Sequence, residues 1–271
     1  MILYQYWCII KEFSMASKTR KTDPKTAPKI SVKIWKPIIK KLETKIKSAC
    51  LRRDAYLNRI LEVELDSLDE EVSIPNSEAS YDFVFDRLQK LDLKLVSLAL
   101  SPELTDRLNE ICSRKRIVRD AFFNRIFLLL AASPKVIDSL FFNNVRDEWR
   151  PQVWKVCKDN EAFLTDLYPL EPQIDPFWAI RTGIEIYSED EALEEYVEPT
   201  SGKAVRVRRE PFGSVAPAES LYTTIFDVKM GDENLLGLSC YMPDWHITGH
   251  EAEQKRRATL DELLTDLAPL S

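Results

Sequence analysis

The chain has 271 residues, 45% hydrophobic and 10% aromatic, which is enough to build cores and too apolar for a disordered chain. Its 6 glycines disfavour Gly-rich phosphate loops and collagen-like repeats, and no apolar run approaches the ~20 residues needed to cross a bilayer. The net charge of −6 conceals a segregation: residues 1–60 carry fifteen Lys/Arg against four Asp/Glu, residues 61–100 three against ten, residues 101–150 nine against seven, and the remainder eleven against twenty-three. A segregated basic half is an electrostatic footprint for phosphate. A basic tail kept for solubility is the plainer reading of the same distribution.

Met1–Ile10 is mildly apolar, but Lys11 and Glu12 come too soon for a signal peptide. Met15-Ala-Ser-Lys offers a second start, which would make the first 14 residues an extension. Five cysteines (Cys8, Cys50, Cys112, Cys157 and Cys240) are odd in number and scattered, as expected of reduced thiols in a cytoplasmic protein. Residues 1–28 read as a flexible basic arm without apolar periodicity.

From Lys29 to Trp35 the pattern alternates with period two, placing Ile30, Val32 and Ile34 on one face of a strand. Pro37 suits a first helical turn, and Ile38, Leu42 and Ile46 follow at helical spacing. A second helix from about Arg52 carries Ala55, Tyr56, Ile60 and Leu61. Residues 62–94 form an acidic linker, looped over 62–80 around Pro75-Asn76-Ser77, with a short helix expected over Tyr81–Leu91. Alternation returns with Val96, Leu98 and Leu100. Ser101-Pro102-Glu103 combines a capping hydroxyl, a proline at the first helical position and a first-turn acid, and Leu104, Leu108 and Ile111 give the stripe. A further helix runs from about Ile117 to Ala132.

Arg53-Asp-Ala-Tyr-Leu-Asn-Arg-Ile60 matches Arg119-Asp-Ala-Phe-Phe-Asn-Arg-Ile126 at six of eight positions, an offset of 66 residues. The same offset carries Ile30, Val32 and Ile34 onto Val96, Leu98 and Leu100, and Ile38 and Leu42 onto Leu104 and Leu108. The chain contains one strand–helix–helix unit twice, at 29–65 and 95–132. In the octad, Ala and the aromatic are read as core, with Arg and Asp solvating the helix start. A lone strand is unstable without a partner, so such a unit implies strand-to-strand pairing. The resulting ribbon rests one face on helices and leaves the other outward, and the major groove of B-DNA admits a two-stranded ribbon.

Val96-Ser-Leu-Ala-Leu-Ser-Pro-Glu-Leu104 through the second octad resembles the ribbon-helix-helix superfamily of small bacterial, archaeal and phage regulators, and the resemblance covers about 100 residues as two units. It implies double-stranded DNA as partner, read by alternate outward ribbon residues, with a phosphate clamped at the start of the second helix. Carried over by position, the outward residues are Lys29, Ser31 and Lys33 in the first unit and Leu95, Ser97 and Ala99 in the second. The phosphate charges are Arg52 and Arg53, with Lys115, Arg116 and Arg119. Two features depart from the family pattern. The interhelical turns, Ser48–Leu51 and Ser113–Ile117, lack the usual Gly, and Leu51 and Ile117 stand where a hydroxyl is usual, leaving a clamp to backbone and arginines. The unequal outward faces imply a lopsided platform, with the first unit and arm supplying most of the DNA contact.

Residues 133–271 are acidic. A helix is expected over Asp147–Leu167, strands over Lys203–Arg209, Tyr222–Lys229 and Leu235–Tyr241, a turn at Gly231-Asp-Glu-Asn, and an amphipathic helix over Glu251–Leu267. His246 and His250 could bind zinc if helical, but Thr248-Gly249 reads as a helix interruption, so they are taken as loop residues and no metal is assigned. No carboxylate spacing, Gly-x-Ser-x-Gly, Walker loop or dinucleotide fingerprint marks an enzyme, and no cofactor is implied.

The expected architecture is a mainly α N-terminal domain of tandem ribbon-helix-helix units, a two-stranded antiparallel ribbon plus four helices, over 29–132. A small acidic α+β domain over 133–271 follows, for a ligand, a protein partner or self-association. The expected function is a cytoplasmic, nucleoid-associated, non-enzymatic transcriptional regulator. The alternative is an antitoxin-like or other protein-interaction factor whose C-terminal domain captures a partner, with DNA binding secondary.

Overall fold

The computed structural model describes residues 29–48, 50–155, 175–186, 194–197, 204–207 and 212–267. The expected arm at 1–28 lies outside them, as do Cys157, most of the helix expected to Leu167, and Lys203, Arg208 and Arg209 of an expected strand.

The chain is mainly helical, with small two-stranded antiparallel sheets. In order it forms β1 (Lys29–Trp35), α1 (Lys36–Ser48), α2 (Arg53–Glu71), α3 (Glu78–Gln89), β2 (Leu93–Ala99), α4 (Pro102–Lys115), α5 (Arg119–Ala131) and α6 (Pro134–Phe141). Then come α7 (Trp178–Thr182), β3 (Ile184–Ile186), β4 (Glu194–Val197), β5 (Ala204–Val207), β6 (Gly213–Val215), β7 (Lys229–Met230), β8 (Glu233–Asn234) and α8 (Asp244–Leu267).

β1 and β2 pair antiparallel, with Ser31 opposite Ser97, Lys29 opposite Ala99 and Lys33 opposite Leu95. Ser97 is the repeat equivalent of Ser31, so the ribbon is centred on the point about which the two units are related. Val32, Ile34, Val96, Leu98 and Leu100 fill its inner face and are buried, each contributing about 1.5–3 kcal/mol. A register slip of one residue would turn this set outward.

A two-stranded ribbon has two open edges whose backbone groups need partners. Here each edge is closed by the second helix of the opposite unit. Along β1, Arg119 donates to the Ser31 carbonyl at 3.0 Å, Asp120 accepts from the Lys33 amide, and Asn124 both donates to the Lys33 carbonyl and accepts from the Trp35 amide, each at 2.8 Å. Along β2 the equivalents repeat the pattern. Arg53 donates to the Ser97 carbonyl at 2.7 Å, Asp54 accepts from the Ala99 amide at 3.2 Å, and Asn58 spans the Ala99 carbonyl and the Ser101 amide at 2.8 Å each. The octad therefore holds strands, and the expectation that its Arg and Asp merely solvate a helix start is corrected.

The interhelical turns also match. Cys50 and Arg116 both adopt left-handed conformations, φ 55° and 49°, where glycine is the usual residue because it lacks the Cβ clash. Leu51 and Ile117 then return their amides to the carbonyls of Ile46 and Cys112.

Four sequence expectations change. Helix α2 continues to Glu71 rather than ending near Leu61, because Glu64, Leu65 and Leu68 prolong its buried stripe. The helix expected over Tyr81–Leu91 starts at Glu78, where the Ser77 hydroxyl accepts from the Ser80 amide at 3.0 Å. Tyr222–Val228 is not a strand: Tyr222 and Phe226 are buried plugs, and the Phe226 amide bonds the Ser239 hydroxyl at 3.0 Å instead of a ladder. Leu235–Leu238 is likewise a 3₁₀ turn. Its Gly237 lies where a Cβ would stand 2.4 Å from the Leu88 nitrogen, so only glycine permits that approach to α3. The Gly231 turn between β7 and β8 is as expected, at φ 67°.

Buried residues between Leu140 and Ile247, among them Phe141, Ile184, Tyr222, Phe226 and Leu238, share one hydrophobic cluster with the ribbon and its helices. Arg125, fully buried, donates to the Leu221 carbonyl at 2.7 Å and the Leu238 carbonyl at 3.5 Å, with its guanidinium 3.8 Å from the Phe226 ring centroid. Asn76 bonds the Cys240 carbonyl and Met242 amide at 2.8 and 2.9 Å. Glu64 takes Arg181 at 2.7 Å and the Tyr222 hydroxyl.

Replacing Asn124, which is fully buried, by Ala strands the buried Trp35 amide and leaves the part-buried Lys33 carbonyl without its side-chain donor. Asn124→Ala should cost about 2–4 kcal/mol and the half-buried Asn58→Ala less, measured by urea denaturation.

Candidate nucleic-acid interface

The outward ribbon face carries Lys29, Ser31, Lys33, Leu95 and Ser97, all exposed, and Ala99, half-buried. Strand parity places them there, opposite the five inner apolar residues. The Lys33 ammonium donates to the Gln89 side chain at 3.0 Å on the surface. Leu95 is 65% exposed, an apolar side chain beside Lys33 in the pairing register.

The five positions assigned to phosphate separate. Arg52 is exposed immediately before α2. Arg53 is engaged with the Ser97 carbonyl and, at 2.8 Å, with Asp54, and Arg119 holds the Ser31 carbonyl. Lys115 is buried, bonding the Asp69 carbonyl at 3.0 Å and its carboxylate at 3.1 Å. Arg116 donates to the Asn76 carbonyl at 3.3 Å from its left-handed position. The hydrogen bond from Arg114, aided by Lys115, holds the Asp69 carboxyl below the usual range. Burial pushes the Asp120 carboxyl up, against the opposing hydrogen bond from Lys33.

Both second helices start without a side-chain cap, at Arg52 and Val118, so their first amides and the positive end of the helix dipole are available to an anion. Their surroundings differ. Beside α2 an open cavity of about 800 Å³ is lined by Lys47, Arg52 and Arg53 with Glu43 and Asp54. Beside α5 the equivalent cavity, about 720 Å³, is shared with α3 and lined by Glu78, Asp82 and Asp120 as well as Arg116 and Arg119. Helix α3 thus places acids where the second unit would need cations.

Away from the ribbon, α8 passes through Thr248 and Gly249 without interruption, so His246 and His250 sit one turn apart on a helix beside Asp227. An interior Gly weakens a helix by only about 1 kcal/mol, and the Thr248 hydroxyl bonds the Asp244 carbonyl at 3.1 Å. The loop reading of the two histidines is corrected. The six identical octad positions mark the repeat, but no local pattern announces the Asp–Asn edge closure.

The chain matches no family model, and no curated protein or solved structure shows significant similarity to it. Among the described residues, no helix is long and apolar enough to cross a membrane.

The outward side chains have little part in folding. Lys29→Ala, Ser31→Ala and Lys33→Ala should each change unfolding free energy by less than about 0.5 kcal/mol. Lys115→Ala, which removes a buried stem and the partner of Asp69, should cost about 1–3 kcal/mol in the same denaturation measurement.

Proposed function

We propose that the chain is a double-stranded DNA-binding transcriptional regulator of ribbon-helix-helix type, its β1–β2 ribbon inserted in the major groove. The observation that carries this reading is the division of labour across the ribbon. The inner face is buried, both edges are closed by the octads, and the outward face alone presents lysines and serines without a folding role. Lysine can bond guanine acceptors or phosphate, serine can bond several bases, and a methyl-bearing face such as Leu95–Ala99 suits thymine methyls.

The reading is lopsided. The first unit supplies Lys29, Lys33 and Arg52, with the basic sequence of residues 1–28 running directly into Lys29. The second unit contributes Ser97 and apolar surface, and its helix start is hemmed by α3. An anion at the α2 start, held by first-turn amides and Arg52, would set the ribbon's depth in the groove.

Affinity for duplex DNA should fall steeply with salt as phosphate contacts release counterions. Gel-shift or anisotropy titrations of the full chain should find Lys29→Ala and Arg52→Ala weaker on all sequences, each lowering the log–log salt slope by about 1. Ser31→Ala should instead change the ranking among sequences. A full chain that binds no duplex even at low salt contradicts the proposal.

A further inference from the structure

Three potential ligand groups converge where α8 meets the β7–β8 hairpin. The Nε2 atoms of His246 and His250 lie 3.6 and 3.4 Å from one oxygen, Asp227 Oδ2. The imidazole centroids are 4.6 Å apart, and one ligand atom from each of the three residues lies within 4.8 Å of the others. Both histidine–carboxylate separations exceed the roughly 2.7–3.2 Å of an N–H···O hydrogen bond. They match instead the spacing of ligands on a common ion, since tetrahedral zinc with bonds of about 2.0–2.1 Å sets its ligand atoms about 3.3–3.4 Å apart.

The surroundings fit an ion better than an ordinary ion pair. The histidine side chains retain only 13% and 21% of their exposure. Asp227 Oδ1 accepts from the Asn234 side chain at 3.1 Å, which orients the carboxylate and leaves Oδ2 toward the imidazoles, as supporting residues around metal ligands do. Asp227 is 44% exposed, leaving solvent access for a water ligand. Two histidines four residues apart on α8 face the same way, which is the geometry that lets one helix supply two ligands.

We propose that Asp227, His246 and His250 bind one divalent transition-metal ion of the zinc class, with water completing the coordination. Two imidazoles and one carboxylate suit zinc, cobalt or nickel, whereas calcium and magnesium require a fuller oxygen set. The ion ties the start of α8 to the hairpin whose strands are Lys229–Met230 and Glu233–Asn234. The site is independent of DNA binding, and absence of duplex binding leaves it standing.

The chain contains only two histidines, so histidine-dependent binding maps without ambiguity. Untagged full-length protein, stripped with chelator, should take up one equivalent of Zn²⁺ by calorimetry and give visible Co²⁺ absorption of tetrahedral or five-coordinate type. Zn²⁺ should raise its Tm, because an ion bound by the folded chain stabilises it by mass action. His250→Gln and Asp227→Asn, both at partly exposed positions, should weaken Zn²⁺ binding by about tenfold or more while leaving the far-ultraviolet circular dichroism unchanged. Cys50→Ser, at an exposed thiol, should bind as the parent does. Absence of stoichiometric uptake, affinity unchanged in both His246→Gln and His250→Gln, or equal affinity for Mg²⁺ would each overturn the proposal.

Discussion

The structure depends on how two strands survive without a larger sheet. A two-stranded ribbon satisfies half of its backbone groups by pairing and leaves the outer half open, and an unpaired buried donor or acceptor costs about 1–3 kcal/mol. On β1 the Ser31 carbonyl, the Lys33 amide and carbonyl, and the Trp35 amide are the groups at stake. Arg119, Asp120 and Asn124 meet all four. Because each octad closes the strand of the other unit, neither unit is complete alone, and the ribbon, the helical core and the relation between the repeats form together.

That constraint also explains where the copies diverge. Residues that close edges are identical in both octads, and so is the Arg that follows Asn, yet its environments are opposite. Arg59 is exposed. Arg125 is fully buried, its guanidinium held by two carbonyls and the Phe226 ring, and burial pulls its pKa below the usual arginine range. A position with no edge to close in the first copy became the anchor for the C-terminal segments in the second. Helix α3 reinforces the asymmetry, packing against the Leu235–Leu238 turn through Gly237 and bringing acids beside the second helix start. The outward face of the first unit is left as the accessible, basic side of the ribbon.

Much of the platform was legible because its signals are local. Period-two alternation located both strands, Ser101-Pro102 located the start of α4, and the 66-residue offset located the repeat. The closure of the edges was not legible, since nothing in the octad says that Asp54 and Asn58 reach across to Ala99 and Ser101. Lys115 and Arg116 look like phosphate cations in sequence because charge at a helix start is visible there, whereas Asp69 and Asn76, which engage them, are non-local. Tyr222 and Phe226 mimicked a strand because a loop inserting side chains into a core can alternate as a half-buried strand does. At His246 and His250 the breaker reading of Gly249 outweighed helical spacing, while packing of α8 against α3 overrode a small propensity cost.

The central claim is that the outward face of the ribbon is where DNA is read. Amide hydrogen exchange and chemical-shift mapping on duplex addition test it most directly. Perturbation should centre on Lys29, Ser31, Lys33 and Ser97 and on the first turn of α2, and spare α8 and the first turn of α5. Perturbation confined to α8 or to the face away from the ribbon, with the ribbon unchanged, would contradict it.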